Sequence, residues 1–424
     1  MDGISEPLTP INALPQRLRP QRLMVAIALC LLTAGAIVLS QYGWKHSLLF
    51  IIGGLFGVTL YYSSFGFASA YRKLLMQREV RGLYAQLLML AIATILFAPI
   101  LASQTVWGQS VRGAVAPVGM QGAIGALLFG IGMQLGGACG CGTLYTIGSG
   151  SLTMLLTLLT FCIGAFAASL TRQLWAGLPA TSPIVLGHEI GWLPATIVQL
   201  VLFGIGFFLL RWWSRGKAES GRQAAAGLPE GTGQGIDRTL NPPSSALNSA
   251  SNSQLFIPQP LRGSWSLVAG AITLAILNCF TLLLSGQPWR ITWGFALWTA
   301  QIATWLGWNS TSSPFWSSEA SQKVLSQGVL ADVSSVMNIG IILGAVLAAA
   351  FVGRLIPKGQ FTPALIGSTL LGGLIMGYGA FLAYGCNVSA FFGGIASTSV
   401  HGWIWIIFAL LGTTIGIRLR PLFQ

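Results

Sequence analysis

Charge is what this sequence has least of. Of its 424 residues only 7% are Asp, Glu, Lys or Arg, against about 25% in an ordinary soluble domain, so no large water-soluble domain can be built from it. With nine acidic residues and three histidines, almost nothing ionisable falls inside the apolar stretches, and a proton-coupled carboxylate chain has little to stand on. Glu189, Asp332 and His401 all lie at segment ends, where a solvated interfacial role is expected. The six cysteines, Cys30, Cys139, Cys141, Cys162, Cys279 and Cys386, are scattered through apolar sequence without the spacing of a disulfide scaffold. No histidine flanks Cys139 or Cys141, and three thiolates in an apolar setting would all need deprotonation, so neither a metal nor a cofactor is expected.

Apolar length is what the sequence has instead. Hydrophobic residues make up 54% of the chain, and windows long enough to span a bilayer, about 20 residues each, recur along it. They fall at 23–41, 47–71, 83–103, 118–137, 151–170, 192–211, 265–286, 291–308, 332–353, 362–384 and 402–419. The first follows Arg17, Arg19 and Arg22 as a signal peptide would, but no clear small-x-small cleavage site follows it, so it is expected to remain as a helix. The fold class expected is an all-α integral membrane protein of about nine to ten spans.

The net charge is +13, yet the basic residues sit in short connections and one polar linker rather than on a periodic face. Nucleic acid is therefore not an expected partner; the lipid bilayer is, and positive connections record its cytoplasmic side. Between the apolar blocks runs "SRGKAESGRQAAAGLPEGTGQGIDRTLNPPSSALNSASNSQ", too polar and glycine-rich to bury a core. The chain divides accordingly into a tail at 1–22, a membrane repeat at 23–213, a flexible linker at 214–263 and a second repeat at 264–424.

The halves resemble each other around their cysteines. "GIGMQLGGACGCGTLY" from Gly130 aligns without gaps to "GYGAFLAYGCNVSAFF" from Gly377, matching Gly130 with Gly377, Gly132 with Gly379, Leu135 with Leu382 and Cys139 with Cys386. An internal duplication is a common transporter plan. If Arg72, Lys73, Arg78 and Arg81, then Arg211, Arg215, Lys217 and Arg222, and finally Arg354, Lys358, Arg418 and Arg420 are all cytoplasmic, the short segment 291–308 cannot cross. Cys139 then lies toward the cytoplasm and Cys386 toward the outside, which makes the repeats inverted. Two glycine-rich breaks entering from opposite faces form an hourglass, since non-helical backbone is tolerated in a membrane only where protein or a wet cavity satisfies it.

These breaks offer thiols, glycine amides and helix N-termini, with helices expected to begin near Ser151 and Gly402. Such N–H groups attract anions, and a thiol is a soft, weak donor and acceptor. A soft anion suits both. Residues expected to line the pathway are Gly137, Cys139, Cys141, Gly142, Thr143, Gly385, Cys386 and Asn387, while Cys30, Cys162 and Cys279 are expected to pack as small buried hydrophobes.

At these motifs the sequence resembles the YeeE/YedE family of bacterial inner-membrane proteins, over most of the chain except the linker. "GGACGCGTLYTIGSGS" is similar to the family's Gly-Gly-Cys-x-Ser-Gly-x-Leu-Tyr pattern, with Cys139 at the family cysteine and Cys141 where serine is usual. "YGCNVSAFFGGIASTSVHGW" is similar to its Gly-Cys-Asn-x-x-Ala-Phe-Phe-x-Gly-Ile-Ala-Ser…His-Gly-Trp pattern, with Cys386 at the cysteine. The resemblance implies inward passage of thiosulfate, relayed between cysteine thiols, in the inner membrane. One departure stands out: thiosulfate-carrying members have a third pathway cysteine in an earlier stretch, and the corresponding "SSFGFASAYR" places Gly66 there. Cys141 could replace that thiol or shift selectivity. An alternative is a membrane component of sulfur or selenium trafficking that carries a persulfide on Cys139 or Cys386 for a cytoplasmic sulfur-transfer protein; but a nucleophilic thiolate needs a base or cation beside it, and neither motif has a Lys, Arg or His before His401. Transport rather than enzymatic activity is therefore expected.

Overall fold

Apolar periodicity dictates helices, and helices are what the chain forms. The computed structural model describes residues 20–226, 265–357, 359 and 361–423, with backbone alone for 215–226. In chain order the helices are α1 (Arg22–Leu39), α2 (Trp44–Ser63), α3 (Phe67–Gln77), α4 (Arg81–Ser103), α5 (Met120–Leu135), α6 (Gly140–Gly148), α7 (Leu152–Leu170), and two single turns, α8 (Arg172–Trp175) and α9 (Leu186–Glu189). They continue as α10 (Trp192–Ala226), α11 (Leu267–Ser285), α12 (Thr292–Trp305), α13 (Glu319–Gln327), α14 (Val333–Phe351), α15 (Pro363–Leu382), the short α16 (Gly394–Ala396) and α17 (His401–Leu419). A two-residue hairpin, β1 (Thr105–Val106) and β2 (Gln109–Ser110), closes the α4–α5 connection.

Among the described residues, ten helices or helix pairs are long and apolar enough to cross a membrane. The segment expected at 291–308 becomes α12, only 14 residues long, short of a bilayer's thickness. The segment expected as one span at 47–71 is broken between α2 and α3, where Ser64 takes a left-handed conformation (φ 47°). The linker expected at 214–263 lies outside the described residues from 227 onward, and its first part, to Ala226, continues α10. Residues 1–19 of the expected tail also lie outside them.

Helix pairs recur in matching sets. α15 packs on α7 as α17 packs on α5, α2 on α14 as α11 on α4, and α1 on α14 as α10 on α4. The short α3 lies against α4 and α17, and the short α12 against α14 and α7. At the α5–α15 crossing the backbones touch: a Cβ on Gly132 would fall 2.4 Å from the Met376 nitrogen, a close approach that small residues permit where helices associate in lipid.

The bundle has two chemically distinct ends. At one, Arg72 lies near Arg420 and Tyr61 near Arg354. At the other, the Lys45 ammonium donates to Gln109, the His46 ring meets the Ala331 carbonyl at 3.0 Å, and Ala114 N–H donates to the Ser397 hydroxyl at 3.0 Å.

Candidate functional site

Each motif interrupts its helix and then restarts it at once. Cys139 is the N-cap of α6, in extended conformation (φ −86°, ψ 179°), and Cys386 is the N-cap of a π-helix, Asn387–Gly393, with φ −95° and ψ −168°. Thr143 N–H donates to the Cys139 carbonyl at 2.8 Å and Ala390 N–H to the Cys386 carbonyl at 2.9 Å. The helices expected near Ser151 and Gly402 are thus not the nearest ones; shorter helices begin beside each cysteine. Peptide groups without partners are costly in an apolar interior, so the backbone resumes hydrogen bonding within a residue of each break. Reversing direction there requires left-handed backbone, supplied by Gly137 (φ 86°) and Gly385 (φ 150°), which a side chain would strain.

The breaks approach from opposite ends. The first follows the end of α5, where the Gln134 side chain accepts from Arg72 at 2.9 Å; the second follows the end of α15, where Gln121 donates to the Leu382 carbonyl at 3.2 Å. They meet in the interior, where Cys139, Cys141 and Cys386 are each 1% exposed. Cys139 and Cys141 Sγ atoms lie 3.4 Å apart, and the Cys139 sulfur also faces the N–H groups of Gly142, Phe67 and Ala68. Phe67 and Ala68 open α3, so two helix starts converge on one thiol. The Cys386 sulfur lies 3.8 Å from the Ser389 hydroxyl and faces the Val388 and Ser389 N–H groups and the Thr292 hydroxyl at the start of α12.

The structure brings together most of the pathway residues expected from sequence. A Cβ on Gly140 would lie 3.6 Å from the Cys386 sulfur, and one on Gly142 would lie 3.3 Å from the Cys139 sulfur, so both glycines admit a thiol against the α6 backbone. Asn387 donates to the Tyr71 hydroxyl at 3.3 Å, tying the second break to α3, and its Oδ1 is buried without a partner. Thr143 is different: its hydroxyl donates to the Cys139 carbonyl at 2.9 Å and is committed to the helix start.

Sequence reasoning missed the amides that support these breaks. The irregular chain before α12 is held by Asn278, which accepts from Trp289 N–H at 2.8 Å, and by Asn338, which donates to the Ile291 carbonyl at 3.0 Å. On the other side Gln134 donates to the Ala68 carbonyl at 3.2 Å, and Trp405 Nε1 donates to the Gly385 carbonyl at 3.2 Å. An uncharged Asn or Gln in an apolar run gives no ionisable signal, yet buried amides imply buried backbone groups in need of partners.

Arg290 was also missed. It opens onto a cavity of about 190 Å³ with Thr281, Ser285, Gln287, Ser334 and Asp332 in its wall, at the end of the bundle opposite Arg72. Its guanidinium makes no hydrogen bond among the described residues. Burial pushes Arg290 below its ordinary pKa, and the nearby Asp332 charge raises it part of the way back. Asp332 is the N-cap of α14, accepting from Ser335 N–H and hydroxyl at 2.8 Å each and from Trp293 Nε1 at 3.1 Å. Burial pushes its carboxyl up and those bonds with Arg290 draw it down. The solvated role expected for Asp332 is thus replaced by a structural one. His401 is likewise buried, with Nδ1 2.7 Å from the Ser399 hydroxyl, whereas Glu189 is exposed as expected.

Of the cysteines expected to pack, Cys162 is buried, Cys279 half-buried and Cys30 exposed on the outer face of α1. Gly66, at the family's third cysteine position, is the N-cap of α3; a Cβ there would lie 2.6 Å from the Ser69 hydroxyl and 3.8 Å from the Tyr145 hydroxyl.

A family model described as sulphur transport matches residues 62–415. The chain belongs to the sulphur transport family. The matched span runs from the end of α2 into α17 and contains both breaks. Among similar proteins, one of Spirochaeta thermophila named as the thiosulfate transporter TsuA is 27% identical over 377 residues, covering 85% of this chain and 95% of that one. A protein of Escherichia coli named as the probable transporter YedE is 28% identical over 164 residues, covering 38% of this chain and 39% of its own. With ten apolar helices of spanning length among the described residues, the chain is a multi-pass membrane protein of a sulfur-transporting family.

Proposed function

We propose that this chain carries thiosulfate inward across the bacterial inner membrane, passing the anion between thiols and N–H groups where the two breaks meet. The observation that carries this is the clustering of Cys139, Cys141 and Cys386 beside the N–H groups that start α3, α6 and the π-helix. N–H groups at helix starts favour any anion. Thiols add a soft contact for thiosulfate's terminal sulfur, which sulfate lacks. The Spirochaeta relative's name, over 85% of this chain, supports the same substrate.

The architecture behind this is two inverted repeats, 23–213 and 264–424, forming an hourglass with Gly137, Cys139, Cys141, Gly142, Gly385, Cys386 and Asn387 at its waist. The matching helix pairs and the approach of the breaks from opposite ends support it. The end bearing Arg72, Arg354 and Arg420 faces the cytoplasm, as does the linker. The Arg290 cavity then opens outward and collects the anion, and a cytoplasmic sulfur-transfer protein is a fitting recipient within.

The test is growth of cells that lack thiosulfate uptake, on thiosulfate as sole sulfur source. The wild-type chain restores growth and Cys386→Ala does not, with both present in the membrane fraction. Equal growth with the two would overturn the thiol relay.

A further inference from the structure

The Cys139–Cys141 pair does something a single thiol could not. Their sulfurs are 3.4 Å apart, and a disulfide needs about 2.05 Å, so a shift of about 1.4 Å joins them. Only Gly140 lies between the two residues; Cys139 sits in extended backbone outside α6 and Cys141 in its first turn. Ala138 precedes the pair and Gly142 follows it, so the neighbour on one side is a methyl group and on the other there is no side chain. A bond across so short a loop is strained, and strained disulfides are the more easily reduced, regulatory kind.

We propose that Cys139 and Cys141 are a reversible oxidation site, and that their disulfide closes the anion pathway; this rests on the transport function proposed above. The oxidant is a peroxide small enough to follow the anion's route. The Cys139 sulfur faces the Gly142, Phe67 and Ala68 N–H groups, which take the place of the cation that the motif lacks; as thiolate it attacks a peroxide oxygen, the O–O bond breaks, water leaves, and the sulfur becomes a sulfenic acid. The second thiol attacks that sulfur, the S–S bond forms and a second water leaves. The two thiols have together lost two electrons and two protons, which hydrogen peroxide has taken up. A dithiol reductant reverses the step by exchange, leaving both cysteines as thiols and itself as a disulfide. In the oxidised form neither sulfur has a hydrogen to donate, so two of the three thiol contacts are lost together.

The experiment uses the full chain in proteoliposomes, measuring radiolabelled thiosulfate uptake before hydrogen peroxide, after it, and after dithiothreitol, with peptide masses taken under non-reducing conditions. The expected oxidised peptide holding Cys139 and Cys141 is lighter by two hydrogens, and uptake falls roughly 10- to 30-fold, as for two lost hydrogen bonds, recovering with dithiothreitol. Cys141→Ser, whatever its own rate, gives no peptide lighter by two hydrogens after peroxide, because Cys139 without a second thiol stops at an added oxygen. A peptide that keeps both thiols, an added oxygen in place of the disulfide, or a disulfide that leaves uptake unchanged would each overturn the proposal. Absence of uptake by the untreated protein removes the transport function instead, and the peptide mass still decides whether the oxidation site exists.

Discussion

The two breaks share a backbone plan and differ in what they present. In both, a left-handed glycine precedes a cysteine that caps a restarted helix. The first break carries two thiols in contact and leans on the start of α3, where Gly66 adds no side chain. The second carries one thiol with hydroxyls from Ser389 and Thr292 around it. The same backbone plan thus presents soft contacts at the first break and mixed contacts at the second. The side with a single thiol has no reserve.

That asymmetry orders the consequences of substitution. Cys386→Ala is expected to have the largest effect, reducing thiosulfate uptake to background while changing buried volume little, so membrane levels of the protein hold. Cys141→Ser removes one thiol from a side that keeps another, and a loss of about 5- to 10-fold in uptake is expected, the size of one hydrogen bond. If Cys141→Ser instead matches Cys386→Ala, the two sides are equivalent and the contrast between them fails.

Substitutions away from the thiols sharpen the comparison. Arg290→Ala is expected to raise the thiosulfate concentration needed for half-maximal uptake by about 10- to 150-fold with little change in maximal rate, as loss of a charged hydrogen bond at an entry site would. Concentration-dependent uptake measures it, and a fall in maximal rate alone would place Arg290 elsewhere in the cycle. Asn338→Leu leaves the Ile291 carbonyl without its partner and should cost about 1–3 kcal/mol, seen as a lower Tm in detergent. Cys162→Ala is expected to be the mildest, about 1 kcal/mol or less in stability with uptake unchanged, because one buried sulfur is lost outside the pathway.

Hydropathy made the long helices legible, since a run such as 83–103 matches α4 (Arg81–Ser103) within two residues. It could not reveal the break between α2 and α3, because "LYYSSFGFASAY" stays apolar or small throughout and the interruption arises from packing. The three motif cysteines were legible because they stood within glycine clusters that no ordinary helix needs. Their role as N-caps was not, because a restarted helix such as α6 has the same composition as the break it follows. Arg290 carries no local signal that sets it apart from the other cations of the connections. Its place in a cavity depends on the chain around 286–292 folding inward under Asn278 and Asn338, which no local pattern announces.

The most direct test of thiol-based selection is uptake of radiolabelled thiosulfate against radiolabelled sulfate by the reduced protein in proteoliposomes. Helix starts alone read charge and would pass both. Two or three thiol contacts worth about 1 kcal/mol each predict a preference for thiosulfate of roughly 30- to 150-fold. Sulfate entering as fast as thiosulfate would contradict it.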